Sequence, residues 1–248
     1  MTPLILWLIA ITVMSFSIGG AIVLLTSGFP PTVDPFSTHE NSVPIDGAKE
    51  AEIALSIGTG ELNLHAGTDE NILIDRTIAS LSPSPGTTFV TTLGDRKIVS
   101  MTGPERDNKT VLALDSKGLW NVGITSRIPV SLNVRLGAGH SRINAGGLNL
   151  TSLAVHTGAG TTDLDLTGYR GSDFAGTITN GFGDITLRVP ADRNIRIIVL
   201  RGVGDVKNDG TRSDGDYLVT DGYLPSAPGT TLSVEQGVGT VRISSVKS

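Results

Sequence analysis

Few side chains in this sequence are spaced to do chemistry. Asp184 and Asp205 each stand immediately after a Gly-x-Gly tripeptide, 21 residues apart. Carboxylates stacked on adjacent repeats would offer oxygen ligands to a hard cation such as Ca²⁺. The calcium-binding nonapeptide repeat needs Gly-Gly-x-Gly-x-Asp at a much shorter period, so solvated side chains at a turn are the competing reading. Residues 208–222 gather Asp209, Asp214, Asp216 and Asp221, but without EF-hand spacing or its terminal Glu. Asx-Gly pairs are ordinary turn chemistry, and a flexible acidic loop is expected there. His39, His65, His140 and His156 have no third ligand at zinc spacing. A nucleophile elbow, a phosphate loop and a Ser-His-Asp order are all missing from the sequence. No catalytic residue, no cofactor and no metal beyond the Asp184 and Asp205 candidates are therefore expected.

The element that positions these residues is a repeat. Gly-x-Gly occurs at Gly58 and Gly60, Gly137 and Gly139, Gly158 and Gly160, Gly181 and Gly183, Gly202 and Gly204, and Gly237 and Gly239. A dinucleotide fingerprint would need a third glycine opening a helix, whereas here strand-like sequence follows. In the middle four copies the first glycines are 21, 23 and 21 residues apart, and a fixed period signals a stacked array. Three positions before the first glycine stand Leu55, Val134, Val155, Ile178, Val199 and Val234. Four after the second come Leu64, Ile143, Leu164, Leu187, Asn208 and Ile243.

Both arms alternate as strands do, but out of phase: the apolar positions are 53, 55 and 57, then 62 and 64. A continuous strand keeps one face at constant parity, so the chain must bulge or bend at the glycines, which tolerate positive φ and crowd no neighbour. The expected fold is all-β, a β-solenoid with a shared aliphatic core. A β-sandwich is the alternative, although few Asn-Gly or Asp-Gly pairs are placed to join its hairpins.

Residues 65–127 depart from this spacing, with strand-like runs at 71–78, 88–93, 97–101, 110–114 and 120–124 broken by Pro83, Pro85 and Pro104. They read as a strand-rich insertion or cap over the first coil, with Trp120 as a core anchor. Residues 208–231 read as a second insertion in loop form.

Residues 4–25 are uncharged, and the first charged side chain is Asp34. As a helix they would reach about 33 Å, enough for a hydrocarbon core of about 30 Å. A cleaved signal peptide is the alternative, but its apolar region is shorter and ends in a small-x-small site. The expected organisation is an anchor at 1–27, a proline-rich linker at 28–47, a strand-rich part at 48–127 and coils at 128–248. The acidic residues that follow the segment place the bulk of the chain outside the cytoplasm, held by one membrane span. With net charge −5 and no basic stripe, nucleic acid is not an expected partner. With no cysteine the chain has no disulfide or thiolate chemistry.

The run Ile57-Gly58-Thr59-Gly60-Glu61-Leu62, Trp120, Ile128-Pro129 and Leu132-Asn133-Val134-Arg135-Leu136-Gly137-Ala138-Gly139, with the later coils, resembles the toast-rack proteins. That bacterial and archaeal group includes adhesin-like domains and relatives in Lia-type cell-envelope stress systems. The resemblance covers about residues 45–245, carries no active-site residues, and implies a right-handed β-helical ectodomain or sensor module without catalysis. The expected function is a membrane-anchored binding or scaffold module for an envelope protein or cell-surface polymer. An accessory sensor subunit in envelope-stress signalling is the alternative, and a β-helical polysaccharide lyase or hydrolase a remote one, since no carboxylate cluster projects from matching coil positions.

Overall fold

The computed structural model describes residues 37–80, 86–103 and 118–247. The expected membrane segment at 4–25 and the expected strand at 110–114 lie outside the described residues. Every regular element among the described residues is a strand, and among them no helix is long and apolar enough to cross a membrane.

Four long strands carry the repeat: β2 (Glu50–Ala66), β7 (Val130–Asn144), β8 (Leu150–Asp165) and β9 (Ala175–Pro190). Each runs through its Gly-x-Gly, and they pair in parallel with equivalent positions aligned, as in Ile53, Leu132, Leu153 and Gly176. The phase slip is real: Ile53, Leu55 and Ile57 are buried before the bend, Leu62 and Leu64 after it. Its cause is the second glycine of each pair. Gly60, Gly139, Gly160, Gly183, Gly204 and Gly239 have φ of 147°, 138°, 130°, 123°, 137° and 139°, which a side chain rarely adopts. That turn brings the following arm's alternate residues back onto the core.

Close approach supplies a second reason for glycine. A Cβ on Gly139 would collide with the Gly60 carbonyl oxygen of the neighbouring coil, one on Gly160 with that of Gly139, and one on Gly158 with that of Gly137. The glycine at a core position, Gly176, leaves room that Leu232 and Phe174 fill.

The stack does not follow chain order. β14 (Thr230–Val238) and β15 (Val241–Val246), the last coil in sequence, lie between β9 and the coil formed by β10 (Ile195–Val203) and β11 (Val206–Asp209). Residues 195–209 thus form the end of the stack, and Arg201 and Asn208, which stand where other coils bury side chains, are exposed there. The loop expected over 208–231 is in part a hairpin. β12 (Arg212–Asp214) and β13 (Tyr217–Val219) pair with each other, β13 pairs antiparallel with β10, and Val219 is fully buried.

At the opposite end, β5 (Arg96–Thr102) and β6 (Gly118–Ile124) pair in parallel with the two arms of β2, with Gly118 opposite Gly60. Outside them lie β4 (Thr87–Leu93) on β5, and β3 (Ile72–Ser80) and then β1 (Ser37–Pro44) on β6, all antiparallel. Within the segment 28–47 expected as a linker, β1 joins the sheet, and its Val43 and the following Ile45 are buried. No break separates 48–127 from 128–248, because β2 and β7 pair from Ala51 to Leu64. The fold is one mostly open, solenoid-like sheet around an aliphatic core.

Candidate functional site

Asp184 and Asp205, the expected cation candidates, do not stand on adjacent coils. The inserted last coil puts Thr240 between them, since Ile185 pairs with Val241 and Val241 with Val206. Two sheet steps separate the carboxylates by about 10 Å. The Asp184 carboxylate is also occupied: it accepts hydrogen bonds from Arg242 Nη1 at 2.8 Å and from the Thr240 N–H at 3.0 Å. Arg242, then the Thr240 amide, hold its carboxyl below the ordinary aspartate range. Among the described residues no three His, Asp or Glu side chains converge as metal ligands would.

Asp184 belongs to a regular set of cross-coil contacts on the outer face of the second arms. Arg142 Nη1 reaches Glu61 Oε1 at 3.3 Å and Asn63 Oδ1 at 2.9 Å. His140 Nε2 lies 3.0 Å from Asp163 Oδ2, and Arg188 lies 3.8 Å from Asp165. Each pair joins one coil to the next, so the charges on this face largely satisfy one another. Of the residues in this set only Asp184 and His140 stand out in the sequence. The signal lay in opposite charges one repeat apart, visible only with the coil register in hand.

The outer face of the first arms has a different chemistry. One column runs Glu52, Ser131, Ser152, Ala175, Thr231 and Arg196, and the next Ala54, Asn133, Ala154, Thr177 and Ser233. Beside them run Arg135, His156, Thr179 and Glu235. Positions repeat at about 4.8 Å across the strands and about 6.7 Å along them. Most are half-buried by their neighbours, as short side chains on a flat sheet should be. Ser131 and Ser152 share a hydroxyl hydrogen bond of 2.6 Å, and Asn133 Oδ1 has no partner. His140 and His156 sit on different arms and do not meet.

The remaining sites are structural. A cleft of about 580 Å³ lies beside residues 223–229, and two of its polar side chains, Asn194 and Arg196, are engaged by the protein itself. Asn194 Nδ2 donates to the Leu224, Ala227 and Pro228 carbonyls, while Arg196 Nε donates to Thr231. Trp120 is buried, with the Arg76 guanidinium 5.3 Å from its ring. Burial lowers the Arg76 pKa from its ordinary value, and its Nε and Nη1 find no acceptor. Stacking on the indole is what this cation has in place of an ion pair.

At the bends, side-chain N–H groups satisfy the backbone. Asn180 Nδ2 donates to the Gly160 and Asp184 carbonyls, Gln236 Nε2 to those of Gly183 and Val238, and Arg201 Nη1 to that of Gly204. The position before the first glycine is apolar at Ile57 and Leu136 and polar from Thr157 onward; Asn180, Arg201 and Gln236 serve carbonyls of the bends, while Thr157 bonds the Thr162 hydroxyl instead.

A family model described as the N-terminal domain of toast_rack (DUF2154) matches residues 32–188. The chain belongs to the toast-rack family. The toast-rack match ends within β9, before the exchanged coils at the far end of the stack. A candidate cell adhesion protein from Clostridium sporogenes has the same fold, with a TM-score of 0.79 at 23% identity over 85% of this chain and 100% of that one. A candidate adhesin from Bacteroides fragilis aligns over 84% of this chain and 97% of its own, at 12% identity and a TM-score of 0.35. None of the curated proteins matches.

Proposed function

We propose that this toast-rack chain is a membrane-anchored, extracytoplasmic binding module of the adhesin kind. It holds a cell-surface polymer on the outer face of its first arms, without catalysis. The observation that carries this reading is the contrast between the two outer faces. The second-arm face spends its charges on cross-coil ion pairs. The first-arm face presents in-register columns that carry the hydroxyls and amide of Ser131, Ser152, Asn133, Thr177 and Ser233, with its charges at the rim, at Glu52, Arg196, Arg135 and Glu235. Regularly spaced small polar groups suit a polymer whose own hydroxyls and amides repeat along a chain, and a flat surface made of stacked coils is what such arrays use for binding. In this reading residues 4–25 span the cell membrane once and the coils wind right-handedly, the sense that crossovers between parallel strands take.

The test is co-sedimentation of the full chain, in detergent, with insoluble cell-wall polysaccharide. Thr177→Arg should abolish sedimentation by projecting a long charged side chain from the face, and Arg242→Ala on the other face should leave it intact. No sedimentation of the unaltered chain, or equal loss from both substitutions, would overturn the reading. Protease added to intact cells should degrade the β domain if it lies outside.

A further inference from the structure

A strand at the edge of a sheet presents unpaired N–H and C=O groups, and folded proteins blunt such edges with charge, proline, bulges or brevity. Among the described residues the free edges are β1, β4, β11, β12 and the distal half of β10. Four of the five carry such a device. β1 contains Glu40 and ends at Pro44, where the register shifts. β11 has four residues, among them Lys207 and Asp209, and β12 has three, from Arg212 to Asp214. The distal half of β10 carries Arg201.

β4 has none of them. Its seven residues, Thr87-Thr88-Phe89-Val90-Thr91-Thr92-Leu93, include no charge and no proline, and its pairing with β5 runs without a register shift. All but Thr88 are exposed, with Phe89 at 67%, Val90 at 45% and Leu93 at 62%. A long, uncharged, β-branched edge of this kind is a strand-pairing surface.

We propose that β4 is a dimerisation strand, two copies of this chain pairing antiparallel, β4 against β4, about a twofold axis at Val90. The strand's own sequence argues for a second copy as occupant. In this register Val90 faces Val90, Phe89 faces Thr91, Thr88 faces Thr92 and Thr87 faces Leu93. The pairs are aromatic with β-branched, Thr with Thr and Val with Val, which stabilise antiparallel ladders, and no like charges meet. A strand from an unrelated protein would need pockets for its alternate side chains to be recognised. Neither of two clefts formed by the described residues, one along 126–172 and one along 151–231, is lined by a residue of β4. A twofold contact uses the same surface on both copies and closes after two, so the edge is used up without growing into a fibre. One strand pair is smaller than the standard interface of about 1,600 Å², so the dimer is reversible. This proposal is independent of the binding face, although an axis along the sheet normal would point both first-arm faces to the same side.

Because the chain has no cysteine, one introduced thiol reports on the contact directly. Opposed residues of an antiparallel pair lie within disulfide reach. In the full chain in detergent, Val90→Cys should form a disulfide-linked dimer under mild oxidation. Thr87→Cys alone should not, whereas Thr87→Cys mixed with Leu93→Cys should give the mixed dimer. Adding Thr91→Lys to Val90→Cys should remove the cross-link while leaving thermal unfolding unchanged, since Thr91 is exposed. The proposal is overturned by absence of the Val90→Cys dimer, by equal cross-linking of Thr87→Cys alone, or by cross-linking in cells only to a different protein.

Discussion

At the residue scale, the second glycine of each bend is the most constrained position in the chain. At Gly160 a side chain would meet both a φ of 130° and the Gly139 carbonyl, so neither neighbour nor backbone can relax alone. Gly160→Ala is expected to cost more than about 3 kcal/mol, as clash and strain add. Gly47→Ala, with φ of 77° and open space around it, should cost about 1–2 kcal/mol from the left-handed conformation alone. Urea unfolding of the two variants compares them directly. Asp184 supports a pH prediction at the same scale. Its carboxyl titrates below the ordinary aspartate value because Arg242 and the Thr240 amide favour the charged form. The folded state is therefore helped above about pH 4, the unfolded value, and the help is lost as pH falls through the lowered folded value. Arg242→Ala should move the Asp184 titration upward in an NMR carboxyl titration. At neutral pH it should cost no more than about 1 kcal/mol, because the pair is part-exposed and screened.

At the element scale, the coils are joined inside as well as outside. Ser141 in β7 donates to Thr162 in β8 at 3.3 Å, and Thr162 shares a 2.8 Å hydrogen bond with Thr157 across the bend. All three are buried. Thr162→Val should strand the other two hydroxyls and cost about 1–3 kcal/mol, whereas Ser141→Ala, Thr157→Val and Thr162→Val together should recover most of that loss, because an apolar set leaves no orphan. Thermal unfolding of the single and triple variants checks both halves. The arms were legible in sequence at this scale, since alternation and the parity slip are local. The hydroxyl trio was not, since only the coil register brings Ser141 beside Thr162.

At the scale of the whole molecule, the exchanged order of the last two coils makes stability non-local. β10 gains its parallel partner only from β14, and β11 only from β15. The inserted coil also buries Leu232, Val234, Val241 and Ile243, each contributing about 1.5–3 kcal/mol. A chain ending at Gly229 should therefore lose amide-exchange protection over residues 195–219, although none of those residues is removed, while β2, β7 and β8 stay protected. Protection retained over 195–219 in the shortened chain would contradict this account of the stack.

The sequence alone determined the all-β class, the coil unit, its bend at Gly-x-Gly and the family, because each rests on spacings within about 21 residues that a single strand must obey. Only the tertiary structure decided which coil stacks on which. Coils of one length and one pattern pair equally well in several orders, so periodicity is silent about permutation. That permutation is what separated Asp184 from Asp205 and set Arg201 and Asn208 at an open end. Asn208, polar where the other coils have Leu or Ile, was its one trace in the sequence, because a terminal coil has no neighbour to bury that position. The coil of β5 and β6 was hidden for a related reason: residues 104–117 stand between Gly103 and Gly118, where β2 has only Gly58 and Thr59.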